Sequence, residues 1–249
     1  MTEAAQPDRE LKAAYYAARP GGWRDWWTLL HPPYTAWHLG YVVIGACLAP
    51  VVNATRLIAT LLAFFFAVGL AAHALDELHG HPLGTKLSKT TLVIVVVVGL
   101  IGAVALGVAG ISVVGWRLVP FLILGPVLVI VYNLELFGGA LHNDLGFAVC
   151  WGAFPVLVAY VAQTGRLVAA PIIAAAGAVC LSAAQRTLST PARTLRRRAT
   201  SVEGTIVLAD GSQSDLDREI LLAPLERALR ALSWAVVLLA FGLAVARML

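Results

Sequence analysis

The chain has 249 residues, of which 59% are hydrophobic and 13% charged, with a net charge of +4 and a mean hydropathy of +0.81. A water-soluble domain of this length could not cover so much apolar surface, so the composition excludes an ordinary soluble enzyme and indicates a membrane protein. The three cysteines, Cys47, Cys150 and Cys180, fall inside apolar stretches, which argues against a disulfide framework or a CxxC metal site.

Residues 1–34 are predicted to form an amphipathic segment in the headgroup zone of the membrane. Trp23, Trp26 and Trp27 precede "HPPY", and indole rings favour the interface between lipid and water. His31 is interpreted as an interfacial residue rather than a ligand. The segment lacks the short apolar core of a cleavable signal peptide, so we expect the first span to direct insertion.

Seven apolar stretches are long enough to cross a hydrocarbon layer of about 30 Å as helices. The third is rich in β-branched residues, but in lipid each segment must satisfy its own backbone, which favours helix. The sequence therefore predicts an all-α polytopic membrane bundle of about seven transmembrane helices, with residues 35–186 as a six-helix core and 231–249 as the last transmembrane helix. The predicted spans are 36–53, 57–78, 90–114, 118–140, 145–164, 167–185 and 231–247.

Residues 187–230 are predicted to form a cytoplasmic insertion. "EGTIVLADGSQ" alternates as a short hairpin does, and "SDLDREILLAPLERALRAL" has the capping residue, early acids and periodicity of an amphipathic helix. The insertion is therefore expected to cap the cytoplasmic side of the bundle.

The distribution of basic residues predicts a cytoplasmic N-terminus. With that topology only four of the 18 Lys and Arg residues lie on the outer side, namely Arg56, Arg117, Arg166 and Arg247. We expect an integral protein of a prokaryotic cytoplasmic (inner) membrane, in which "RTLRRRA" lies against anionic lipid headgroups rather than binding nucleic acid.

A polar cluster ends the second predicted span, in "HALDELHGHPLGTKLS". His73, Asp76 and Glu77 subtend about 100° on a helix and rise only about 6 Å, so all three could address one point. His79 points elsewhere, and His81 belongs to the following loop. An acid left charged near the middle of a bilayer costs at least about 2.5 kcal/mol, which makes such residues candidates for a functional site.

The fourth predicted span ends at the same side of the membrane, in "YNLELFGGALHNDLG". Glu135 and His142 are about 10 Å apart along a helix, so one ion cannot bind both unless Gly138 and Gly139 break it. The predicted site is therefore His73, Asp76 and Glu77 facing either Glu135, or His142 with Asp144, with His38 and Asn133 as outer candidates. Two alternatives stay open: a structural polar cluster that holds helices in register, and a helix cap formed by His142, Asn143 and Asp144.

Three stretches between about 28 and 186 resemble the UbiA-type intramembrane prenyltransferase superfamily, most closely its menaquinone-pathway branch. "TLLHPPYTAWHLGYVVIGACLAP" resembles the first helix of that family. "HALDELHGHPLGTKLS" resembles the aspartate-rich motif NDxxDxxxD with its loop, and His73 and Glu77 take the N and second D places. "YNLELFGGALHNDLGFAVCWGAFPVLVAYVAQTG" is similar to the region of the fourth and fifth helices.

The resemblance implies a helical bundle around a lipid-open cavity, where acidic motifs hold Mg²⁺ on a prenyl diphosphate and the isoprenyl group passes to an acceptor. On that basis the candidate catalytic residues are Asp76, Glu77 and Glu135. The candidate metal ligands are His73, Asp76, Glu77, Glu135 and His142. The candidate substrate-binding residues are His38, Asn133, Asp144, Lys86, Arg186 and Arg193.

The chain departs from the family pattern in three ways. Where the second aspartate motif is expected, "SAAQRTLSTPARTLRRRA" contains no acid. The basic residue expected after the tyrosine of the fourth span is not evident, and Ala74 replaces an acid of the first motif. Because imidazoles stand in for carboxylates, the expected divalent metal is Mg²⁺, or Fe²⁺, Zn²⁺ or Mn²⁺.

The leading hypothesis is a divergent, metal-dependent UbiA-like enzyme acting on an isoprenoid or quinone-like lipid at the cytoplasmic face. The alternatives are a membrane metalloenzyme, oxidative or hydrolytic, with His- and carboxylate-bound Fe or Zn, and a non-catalytic lipid-binding protein. A haem between His73 and His142 is geometrically allowed. The oligomeric state is left open.

Overall fold

The computed structural model describes residues 13–248, so residues 1–12 of the predicted interfacial segment lie outside the described part of the chain. Its helices are α1 (Trp23–Leu29), α2 (Pro32–Cys47), α3 (Ala54–Phe64), α4 (His73–Leu78), α5 (Lys89–Val114), α6 (Val119–Asn133), α7 (Leu136–Gly139), α8 (Asp144–Ala148), α9 (Phe154–Thr164), α10 (Ala169–Arg197) and α11 (Arg218–Met248). The π-helical segments Phe65–Ala72 and Val149–Ala153 join α3 to α4 and α8 to α9, and a 3₁₀ turn, Trp116–Leu118, precedes α6.

Six helical stretches among residues 13–248 are long and apolar enough to cross a membrane, which supports an integral membrane protein. The predicted count of seven is not confirmed. The six are Ala54–Leu78, Lys89–Val114, Trp116–Asn133, Asp144–Thr164, Ala169–Arg197 and Arg218–Met248.

The first predicted span, 36–53, is instead the 16-residue helix α2, about 24 Å long. It still runs from one end of the bundle to the other. At its start the His31 ring lies 4.4 Å from that of His73, and just past its end the Ala49 carbonyl accepts a hydrogen bond from Arg247.

Close helix contacts hold α2 in the centre of the bundle. Trp37, Tyr41 and Val42 are buried there, and a Cβ built on Gly45 would lie 2.2 Å from the carbonyl oxygen of Val156 in α9. Only glycine permits this approach. The π-helical segment of residues 149–153 supplies a further contact, because the Trp151 carbonyl accepts a hydrogen bond from His38 Nδ1 at 3.0 Å.

One end of the bundle carries the four arginines predicted for the outer side. Arg56 donates to the Gln163 carbonyl and Arg117 to the Gly165 carbonyl, both at 2.8 Å. These bonds satisfy carbonyl groups left without partners at helix C-termini. The polar residues of the predicted site lie at the opposite end.

The chain after residue 186 differs from the predicted arrangement. α10 continues without a break to Arg197, and β1 (Gly204–Val207) pairs antiparallel with β2 (Gln213–Leu216). The predicted amphipathic helix and last transmembrane helix are one continuous 31-residue helix, α11. No strong helix breaker follows Pro224, so the periodic face of the first turns continues into the apolar span.

The fourth predicted span, 118–140, ends early. α6 stops at Asn133, and the backbone of Glu135, Phe137, Gly138 and Gly139 then adopts positive φ angles. The helix is therefore broken between Glu135 and His142, the two residues that an unbroken helix would hold about 10 Å apart.

Candidate active site

A polar cavity of about 210 Å³ lies at the end of the bundle opposite the four arginines. Its walls come from α2, α4, α6, α10, α11 and the segment before α1, whose residues Ala13 to Tyr16 cover one side. Seven of the predicted site residues line it. They are His38, His73, Asp76, Asn133, His142, Arg186 and Arg193.

Three histidines of the cavity are fixed by backbone carbonyls. His38 Nδ1 donates to the Trp151 carbonyl at 3.0 Å, His73 Nδ1 to that of Gly69 at 3.3 Å, and His142 Nδ1 to that of Tyr132 at 3.1 Å. A carbonyl only accepts, so Nδ1 carries the hydrogen. In a neutral imidazole the other nitrogen, Nε2, then keeps its lone pair and can accept a proton.

The structure places Glu77 away from the cavity, contrary to the expectation that it joins His73 and Asp76. Its carboxylate accepts hydrogen bonds from the backbone N–H groups of Leu83 and Thr85, both at 2.9 Å, and from Thr85 Oγ1 at 2.8 Å. His81 Nδ1 lies 3.0 Å away. One helical step turns the side chain by 100°, which is enough to direct Asp76 to the cavity and Glu77 to the loop.

Glu135, Asp144 and Lys86 also lie elsewhere, since none of them is among the described residues that line the cavity. Glu135 is exposed, 3.7 Å from His142 Nε2, because the break after Asn133 carries it outward. Asp144 is exposed and pairs with Arg186 at 2.9 Å. Lys86 is exposed in the loop that Glu77 anchors.

The cavity contains several residues that sequence reasoning missed. Burial and the nearby His73 hold the pKa of His31 well below its usual value, so its imidazole is neutral. The Tyr16 hydroxyl hydrogen-bonds to Nδ1 of His31, and the buried Nε2 of His31 has no partner among the described residues. Tyr34, Tyr132, Gln185 and Arg197 also line the cavity. These residues come together from distant parts of the sequence. Of them, only Arg197 could have been found from the sequence, by its spacing from Arg186 and Arg193.

That signal is a stripe of arginines on α10. Arg186, Arg193 and Arg197 are seven and four residues apart, which places them on one helical face. Arg186 lies over the Phe147 ring at 5.2 Å, and Arg197 Nε donates to the Ala13 carbonyl at 3.0 Å.

A second, apolar pocket of about 100 Å³ adjoins the polar cavity. Val68 and Trp151 line both spaces, so the two meet at these side chains. Every described residue around the second pocket is apolar. They include Phe64, Leu100, Val104, Phe121, Leu122, Val129, Cys150 and Phe154.

Comparison with solved structures identifies the architecture. The structure of a UbiA homologue from Archaeoglobus fulgidus, bound to Cd²⁺, matches with a TM-score of 0.51 and 16% identity over 90% of this chain and 82% of that chain. The chain has a UbiA-type fold. The fold expected from the three sequence stretches is thereby confirmed. No protein-family model and no curated protein sequence matches the chain, so it is a divergent example of this fold.

The described residues of this UbiA-type chain do not fit the expected divalent metal. No group of three or more His, Cys, Asp or Glu side chains among residues 13–248 is placed to hold an ion. Among the described residues, the carboxylates that line the cavity are Asp76 and Glu226, and Glu226 accepts two hydrogen bonds from Arg196, one of 2.8 Å. Mg²⁺ in proteins is usually held through one or two carboxylates, and Asp76 is the one carboxylate of the described cavity lining that no arginine pairs with.

Proposed function

We propose that this protein is a UbiA-type membrane transferase whose substrate is an isoprenoid lipid with a diphosphate-type head. The observation that carries the proposal is the junction of two unlike spaces at Val68 and Trp151. A polar cavity rich in arginine suits an anionic head, and an apolar pocket suits a hydrocarbon chain. One amphipathic molecule could occupy both.

The proposed step is transfer of the isoprenyl group to an acceptor with a nucleophilic hydroxyl or electron-rich aromatic ring. The bond between C1 of the chain and the diphosphate oxygen breaks, and both electrons leave with the diphosphate. The acceptor bonds to C1 and loses a proton. His73 Nε2, whose partner nitrogen is held by the Gly69 carbonyl, is the proposed proton acceptor. The apolar walls would protect the electron-deficient carbon from water.

We further propose that the cavity faces the cytoplasm of a prokaryotic cell. Support comes from the placement of charge. Arg56, Arg117, Arg166 and Arg247 lie at one end, and the basic residues of α10 and of the first half of α11 lie at the other. The positive-inside rule favours the more basic end as cytoplasmic.

The test blocks the junction. Val68→Phe should weaken binding of geranylgeranyl diphosphate by detergent-purified protein at least about tenfold, or 1.4 kcal/mol, while inorganic pyrophosphate binds as before. Val108→Phe, on the exposed face of α5, is the matched control and should change neither. Equal binding of the lipid by wild type and Val68→Phe, or no binding of it by wild type, would refute the proposal.

A second candidate is an oxidative or hydrolytic enzyme with histidine-bound Fe or Zn. It is favoured by the four imidazoles that line the cavity, His31, His38, His73 and His142. It ranks second because the described residues gather no three donors for one ion. Elemental analysis separates the two, since stoichiometric Fe or Zn that is lost in His73→Ala would favour the metalloenzyme.

A further inference from the structure

We propose that Arg193 and Arg197 of α10 neutralise the anionic head directly, so that head-group binding needs no divalent metal ion. This inference rests on the proposed function and specifies how the same cavity recognises its ligand. It follows from the poor fit of the described residues to a metal and from the charges that stand there instead.

The balance of charge around the cavity is positive. Glu226 is neutralised by Arg196, and Arg186 pairs with the exposed Asp144. This leaves Asp76 in the cavity lining together with Arg193 and Arg197, so one carboxylate accompanies two guanidinium groups. No acid in the described part of the chain lies within 4.0 Å of either guanidinium group. The two positive charges of Arg193 and Arg197 therefore exceed the single negative charge of Asp76.

The arginines of α10 also repel one another. Arg186, Arg193 and Arg197 all line the cavity, so three positive charges lie together on one face of the helix. Like charges held on one helical face destabilise a fold unless an anion binds among them. An anionic head group would remove this repulsion.

The guanidinium groups retain donors for such an anion. Arg197 uses Nε for the Ala13 carbonyl. Within residues 13–248, Arg193 has a single long hydrogen bond, from Nη2 to Thr190 Oγ1 at 3.5 Å. A guanidinium carries five N–H donors in a planar fork that matches two oxygens of a phosphate group. Each such charge-assisted bond is about twice as strong as a neutral one.

The experiment measures binding of geranylgeranyl diphosphate to detergent-purified protein by calorimetry, in excess EDTA and in MgCl₂. We expect the wild-type Kd to agree within about twofold between the two conditions. Arg193→Gln and Arg197→Gln should each raise Kd about tenfold, which corresponds to one lost charge-assisted contact. Arg193→Lys should fall between wild type and Arg193→Gln, because it keeps the charge and loses the fork. Arg198→Gln, the adjacent exposed arginine outside the cavity lining, is the matched control and should bind as wild type does.

The outcomes separate this inference from the proposed function. Binding that disappears in EDTA and returns with MgCl₂ overturns metal-free recognition but leaves the lipid diphosphate as the ligand. Absence of binding in both conditions overturns the proposed function. Unchanged affinity in Arg193→Gln and Arg197→Gln overturns the role of these arginines. The wild-type comparison decides the metal question even if a variant fails to fold.

Discussion

Glu77 should act as a structural anchor rather than as a catalytic residue or metal ligand. Glu77 is 1% exposed, and its carboxylate accepts hydrogen bonds from the backbone N–H groups of the buried residues Leu83 and Thr85. Glu77→Gln replaces one acceptor oxygen by an amide NH₂. The loss of one hydrogen bond to a charged group should lower the free energy of unfolding by about 1.5–3 kcal/mol.

Glu77→Ala leaves both backbone donors without a partner. At about 1–3 kcal/mol for each unsatisfied buried group, the expected loss is roughly 2–6 kcal/mol. The assay is thermal unfolding in detergent followed by tryptophan fluorescence, where the Gln variant should melt roughly 3–12 °C below wild type. Glu135→Gln, an exposed acid at the same end of the bundle, is the control and should melt within about 1 °C of wild type.

The reasoning would be refuted by a Glu77→Gln protein that melts at the wild-type temperature yet no longer binds geranylgeranyl diphosphate. That pattern would mean that the carboxylate acts on the ligand or on a metal rather than on the loop. A lower melting temperature with ligand binding preserved below it is the result we expect.

Three further predictions test packing, pH dependence and topology. Gly45→Ala should destabilise the fold by about 1–3 kcal/mol in thermal unfolding, because its Cβ meets a carbonyl of α9, whereas Gly177→Ala, with open space around it, should be neutral or stabilising. The pKa of His31 in the folded protein lies well below its usual value of 6.5, so between about pH 7 and pH 5 this imidazole binds a proton only in the unfolded chain. The free energy of unfolding should therefore fall as the pH is lowered over this range, and it should fall less steeply in His31→Asn. In a cysteine-free background, Asp210→Cys should react with a membrane-impermeant maleimide only in inside-out vesicles and Arg166→Cys only in right-side-out vesicles, and the reverse pattern would invert the proposed topology.

The lengths of the apolar segments and three stretches that resemble the UbiA-type superfamily were enough to predict the fold. Runs of about 20 apolar residues can form little but helices in lipid, so the helical bundle follows from composition. The helix ends were less predictable. α2 is shorter than 36–53. α6 stops at Asn133, shortly before four of the five residues from 135 to 139 take positive φ angles.

The candidate site was predicted in part, because helical spacing gives the side of a helix but not what packs against that side. Asp76 and Glu77 are equivalent by sequence, and only the position of the 82–85 loop assigns one to the cavity and the other to a buried anchor. The stripe of Arg186, Arg193 and Arg197 was visible as spacing on α10. The contact of Tyr16 with His31 depends on the segment before α1 folding over the cavity, which no local pattern indicates.

The most direct test of the central claim is photo-crosslinking with a geranylgeranyl diphosphate that carries a diazirine at the far end of its chain, followed by peptide mapping. With the head among the arginines of α10 and the chain in the apolar pocket, adducts should map to pocket residues such as Leu122 and Phe154 and be competed by unlabelled lipid diphosphate. Adducts confined to the exposed faces of the bundle, for example at Ile101 or Phe241, and insensitive to competitor would contradict the account.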